Sequence, residues 1–125
     1  MKEHIHTGES GERIACNYLK RRAYIVLERN WRYSRAEIDI IAKKGDLLVF
    51  VEVKTRTSTF FGKPESFVNK RKKALIVDAA NTYMYQRQYC GEFRFDIIAI
   101  LMKNQRDYAI KHLKDAFFPG FEGFI

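Results

Sequence analysis

Two apolar runs, residues 37–42 and 47–55, flank the tetrapeptide Lys43-Lys44-Gly45-Asp46, and this stretch constrains the fold more than any other. The runs are rich in Ile, Val, Leu and Phe, which suit a pleated surface, and the residues between them suit a tight turn, so a β-hairpin is predicted. Strand side chains alternate between faces. Glu37, Asp39 and Ile41 then point one way and Ile38, Ile40 and Ala42 the other. On the second strand Phe50, Glu52, Lys54 and Arg56 share a face opposite to Val49, Val51 and Val53. The valines and isoleucines are expected to define the core side. Closing the hairpin with Lys43 opposite Leu48 puts Asp39 opposite Glu52 and Glu37 opposite Lys54, so that four charged side chains meet.

Directly opposed Cβ atoms of an antiparallel pair lie roughly 4.5 to 5.5 Å apart, and like charges there are destabilising. Asp39 against Glu52 is therefore a liability unless something positive sits between them. A divalent cation meets that need, since Mg²⁺ takes one or two carboxylates together with waters and phosphate oxygens. Such an ion polarises a phosphodiester and acidifies a bound water. Lys54, two residues beyond Glu52, has the charge to position that water and offset developing negative charge. The alternative is an ordinary sheet with one solvated face, on which Glu37 and Lys54 form a surface ion pair contributing at most about 1 kcal/mol. The apolar surroundings, Phe50, Ile41 and the flanking valines, favour the site.

Around the hairpin the pattern alternates between helical and extended periods. Ile14, Ala15, Tyr18 and Leu19 recur at helical spacing within residues 8–22, and residues 24–31 form a further strand. Residues 58–66, with Phe60, Phe61, Gly62 and Pro64, suit an exposed loop. A second helix is predicted over 68–88, strands over 93–102 and 108–112, and residues 116–125 form a phenylalanine-rich tail. The order α-β-β-β-α-β-β implies an α/β fold, a mixed β-sheet flanked by α-helices. One domain over 1–125 is expected, with its core at about 8–117 and an aromatic tail at 118–125.

A formal net charge of +8 admits polyanionic partners: nucleic acid, anionic membrane or acidic protein. No run approaches the roughly 18 apolar residues of a membrane span, and the first twelve residues are polar, so a cytoplasmic protein without a membrane partner is expected. Cys16 and Cys90 lie far apart without a CxxC pattern, which predicts two buried thiols.

The pattern Glu37-Ile38-Asp39 followed by Phe50-Val51-Glu52-Val53-Lys54 resembles the PD-(D/E)XK nuclease superfamily, and within it the bacterial YraN-like family of endonuclease-like proteins. The likeness extends to Gly11-Glu12, Ala15 and Leu19 on the first helix, Asn30 and Arg32 before the hairpin and Gly62 with Pro64. It continues through Lys72 and Arg94-Phe95-Asp96 to Ala116-Phe117, so it covers nearly the whole chain. The resemblance implies Mg²⁺ or Mn²⁺ held by Asp39 and Glu52, with Lys54 as the catalytic lysine and Glu12 as a contributor from the first helix; Glu37, which the register sets opposite Lys54, is counted with the catalytic set. It also implies a core like that of archaeal Holliday-junction resolvases. Ala36 departs from the family pattern, which usually has glycine there, and the proline of the superfamily's name is absent.

Other residues carry two readings each. Lys70, Arg71, Lys72 and Lys73 lie near a helix start, where cations oppose the helix dipole, so they hold backbone phosphate or form a solvated basic face. Arg32 and Arg56 extend the candidate nucleic-acid surface. Phe60 and Phe61 stack on splayed bases or form a small loop core. Arg94 and Asp96 share a strand face and are expected to pair in support of the sheet. His4 and His6 are disordered or incidental, and His112 stands alone as a structural residue. The first function expected is metal-dependent cleavage of nucleic acid, with DNA ahead of RNA. The others are a nucleic-acid-binding module without turnover and an interaction protein using the aromatic tail. Pairing of two copies stays open.

Overall fold

The hairpin lies at the centre of a five-stranded mixed sheet. The computed structural model describes residues 2–57, 68–104 and 106–116, with side chains from Ser10 onward. Its elements run α1 (Lys2–Arg21), β1 (Ile25–Tyr33), β2 (Ala36–Lys44), β3 (Leu47–Arg56), α2 (Lys70–Gln86), β4 (Phe93–Met102) and β5 (Tyr108–Leu113). The strands stand in chain order, β1-β2-β3-β4-β5. Only β3 and β4 are parallel, and α2 supplies the crossover that a parallel pair requires. This is the α/β order read from the sequence. The helix α1 begins six residues earlier than expected, and its backbone includes His4 and His6.

The predicted register holds at the turn, where Lys43 pairs with Leu48 and Lys44 with Leu47. Gly45 takes φ of 58°, a left-handed conformation that a two-residue hairpin loop needs and glycine adopts freely.

The hairpin does not have a polar face and a core face as the alternation implied, because a helix covers each. Ala15, Cys16 and Leu19 of α1 pack against Ile40, Val49, Val51 and Val53. Ile76, Val77, Ala80 and Tyr83 of α2 pack against Ile41, Phe50 and Phe95. Two charged residues of the hairpin, Asp39 and Glu52, are therefore buried, and Glu52 meets Lys72 of α2. Cys16 is buried as expected, whereas Cys90 is exposed, since it follows the end of α2, where its thiol donates to the Gln88 carbonyl. Phe60, Phe61, Gly62, Lys63 and Pro64, and the tail from Phe117, lie outside the described residues. Among the described residues no helix is long and apolar enough to cross a membrane.

Candidate active site

The site begins with a break in strand alternation. Between the β1–β2 pairs Arg29–Ile40 and Trp31–Ile38, Asn30 adopts a left-handed φ of 53°, which asparagine tolerates better than most residues. β2 pairs with β3 only as far as Ile40 with Val51. Beyond that point the Asp39 side chain replaces the ladder, and the Val53 N–H donates to Asp39 Oδ2 at 2.8 Å. Ile38 consequently joins Ile41 in the α2-side cluster, although strict alternation separates them.

Asp39 and Glu52 are both buried, at 9% and 4% exposure. Burial first and the charge of Glu52 next push the Asp39 carboxyl up to about 8, against the pull of the Val53 hydrogen bond. Glu52 thus opposes the ionisation of Asp39, although the two are not ladder partners, since pairing of β2 with β3 ends at Ile40 with Val51.

Two lysines meet at Glu52. Lys54 Nζ lies 3.2 Å and Lys72 Nζ 2.5 Å from the same oxygen, Oε2. Oε1 is buried without a hydrogen-bond partner among the described residues. Burial and the neighbouring Lys72 ammonium hold Lys54 below its ordinary value, with Glu52 pulling the other way. Burial also works against the charge of Lys72, but its bonds to Glu52 and Lys54 outweigh that cost and raise it. Lys72 reaches the site because α2 begins nearby. The Asn69 side chain caps that helix and accepts the Lys72 N–H at 2.9 Å.

Glu12 approaches from the opposite helix. A Cβ on Gly11 would stand 1.9 Å from Thr55 Oγ1, so glycine lets α1 come this close to the end of β3. The charge of Glu12 contributes to the raised Asp39, while its carboxylate lies 3.9 Å from Arg29.

Glu37 does not meet Lys54. The two strands have parted before reaching that pair, and Glu37 binds Arg32 on the neighbouring strand at 3.0 Å. Arg32 is correspondingly an exposed partner of Glu37. Arg56 donates to the Thr55 carbonyl at 3.0 Å. The basic run divides: Lys70 and Arg71 are exposed, Lys73 is half-buried, and Lys72 turns inward.

A second polar network occupies the α1 face. Arg94 pairs with Asp96 as expected, at 2.7 and 2.8 Å, and also donates to the Tyr24 hydroxyl. His112 is not alone. It lies 2.7 Å from Asp96 Oδ2, and its other ring nitrogen is 3.0 Å from the Tyr18 hydroxyl. Burial opposes the charge of Asp96, but the bonds from His112, Arg94 and the Asp115 N–H prevail and hold its pKa low. These contacts lock β4 to β5, α1 and the start of β1. Strand alternation pairs Arg94 with Asp96, whereas nothing in the local pattern brings Tyr18 to His112 across 94 positions.

The sequence matches a family model described as "Uncharacterised protein family UPF0102" over residues 11–100. Among curated proteins, a UPF0102 protein of Flavobacterium psychrophilum is 45% identical over 118 residues, covering 94% of this chain and 98% of the relative. One from Bacteroides thetaiotaomicron is 43% identical over 119 residues, covering 95% and 98%. One from Clostridium kluyveri is 46% identical over 112 residues, covering 88% and 92%.

Proposed function

The chain belongs to the uncharacterised protein family UPF0102, a name that carries no activity, and we propose that its site hydrolyses phosphodiester bonds of nucleic acid, DNA before RNA, with a divalent metal. The observation that carries this reading is Glu52. A structural glutamate at 4% exposure would have both carboxylate oxygens satisfied, because an unpaired buried acceptor costs about 1 to 3 kcal/mol. Here two lysines crowd onto Oε2 while Oε1 has no partner among the described residues. Asp39 stands beside it with a carboxyl that burial and Glu52 keep from ionising at neutral pH.

That donor set fits Mg²⁺ or Mn²⁺. Among the described residues no third His, Cys, Asp or Glu joins the pair. Two carboxylates completed by water and phosphate oxygens are the usual provision for Mg²⁺. When bound, the ion supplies Lewis-acid polarisation of the phosphoryl group and a more acidic water. The protein residues do the rest. Asp39 gives up its proton as it takes on a ligand's role. Lys54, whose ammonium is already at the Glu52 carboxylate, orients the attacking water and meets the charge that develops on the phosphoryl oxygens. Lys72 holds a phosphate oxygen beside it. This division of labour agrees with the PD-(D/E)XK superfamily that the hairpin resembles.

The test is incubation with duplex, single-stranded and branched DNA and with RNA, in Mg²⁺ and in Mn²⁺, with products resolved on a gel. Wild type is expected to cut at least one substrate. Lys54→Ala is expected to cut it roughly 10² to 10³-fold more slowly, with an unchanged circular dichroism spectrum. Equal rates in the two proteins would remove Lys54 from the mechanism. A wild type inert on the whole panel would leave a nucleic-acid-binding module.

A further inference from the structure

A cavity of about 260 Å³ opens between the first residues of β2 and the N-terminal turns of α2. Its floor is apolar, made by Ala36, Leu75 and Ile76, and its rim is cationic, made by Arg35, Arg71 and Lys72. Lys72 belongs to both places, since it lines the cavity and its Nζ lies 2.5 Å from Glu52. Whatever fills the cavity therefore sits within one lysine side chain of the carboxylates. The lining asks for an occupant with an apolar body, a polar edge and an attached anion.

We propose that this cavity receives one unpaired nucleobase of the bound strand, with the adjoining phosphate on Lys72, so that the substrate is nucleic acid carrying an unpaired nucleotide at the cleavage point. This rests on the hydrolytic reading of the site and names its substrate class. Pockets for drug-sized ligands run to roughly 300 to 1,000 Å³, and one of about 260 Å³ suits a single ring system. A base inside a duplex cannot enter it. The base must leave the stack, which costs least where it is already unpaired. The flat face of any base is met by Leu75 and Ile76, and the strand by the cationic rim. Glu37 also lines the cavity, its Oε2 fixed by Arg32 at 3.0 Å, and carboxylates accept from the exocyclic amino group of cytosine.

Two binding measurements on the full chain, both without divalent metal, test this. In the first, methyl resonances of Leu75 and Ile76 are followed by NMR as deoxycytidine 5′-monophosphate is added, with deoxyribose 5-phosphate as the control that lacks a base. The expected result is a saturable shift with the nucleotide alone. In the second, fluorescence anisotropy compares a duplex bearing one bulged cytidine with the same duplex bearing an abasic bulge. Wild type is expected to bind the base-bearing bulge about tenfold more tightly. Leu75→Trp, which fills the cavity and leaves Asp39, Glu52, Lys54 and Lys72 in place, is expected to lose that preference. Unmoved methyls together with equal affinity for the two bulges in wild type would overturn the proposal, and that comparison needs no variant to fold. A wild type that prefers the base-bearing bulge and cleaves nothing upholds the cavity while removing the hydrolysis. One that cleaves but shows neither methyl shifts nor a preference does the reverse.

Discussion

At the scale of single residues the site is a balance of charge and backbone strain. Asp39 illustrates the charge. In the folded chain its carboxyl stays protonated up to about pH 8, whereas its ordinary value is 3.8. The folded state thus holds an extra proton between those limits. The contribution of Asp39 to stability is present at the acid end and is lost as pH rises toward 8. Melting temperatures in a chelator should show it, because Asp39→Asn is expected to flatten the profile across that window. Parallel profiles for the two proteins would refute the assignment. Asn30 illustrates the strain. Its φ of 53° lets β1 and β2 leave strict alternation where Asp39 turns to Val53. Asn30→Val should cost about 1 to 2 kcal/mol in urea unfolding, whereas Asn30→Gly should stay within about 0.5 kcal/mol. An equal cost for both would mean that the left-handed backbone is not what asparagine supplies. The turn and its first pairs are legible in the sequence because a hairpin register follows from its turn, but the ladder ends at Ile40 with Val51 and does not itself set Asp39 against Glu52. The kink is not, since one residue's φ leaves no period to detect, and so the sequence register sets Glu37 opposite Lys54 where the structure pairs it with Arg32.

Among the elements, the two helices end alike. At α1 the Tyr24 N–H reaches the Leu19 carbonyl and the Ala23 N–H that of Lys20; at α2 Tyr89 reaches Met84 and Gln88 reaches Tyr85. Both are Schellman closures, in which the residue after the cap is left-handed, and here those residues are Ala23 and Gln88, at φ of 69° and 53°. Glycine would adopt that conformation without the Cβ clash. Ala23→Gly and Gln88→Gly are each expected to stabilise the fold by about 0.5 to 1 kcal/mol, after allowing for the looser unfolded chain. A fall in melting temperature in both would contradict this. The element order was readable because helical and extended periods differ sharply here. The arrival of Lys72 at Glu52 was not. The sequence marked Lys72 only as one of four cations, and which of them turns inward depends on how the Asn69 cap sets the phase of α2 against β3. Tyr18, His112 and Asp96 were equally hidden, since their meeting depends on α1 and β5 packing against the same strand.

For the whole molecule, a net charge of +8 makes encounter with a polyanion sensitive to salt. Binding should weaken as salt rises. Lys72→Ala should lower affinity and make the slope of log affinity against log salt shallower by about one, the signature of a single lost phosphate contact. An unchanged slope would confine Lys72 to its role at Glu52. The sheet order has a further consequence. With strands in chain order, β1 and β5 are the two outer strands of the sheet among the described residues, and an outer strand left unpaired is a template onto which another chain can add a strand and begin to aggregate. β5 spans six residues and offers little length. β1 spans nine, but its pairing shifts register between Val26 and Glu28, and Asn30 twists it again three residues from its end. The left-handed turn of the backbone at Asn30, across from the point where Asp39 leaves the ladder for Val53, also roughens this border and makes it a poorer template for an added strand.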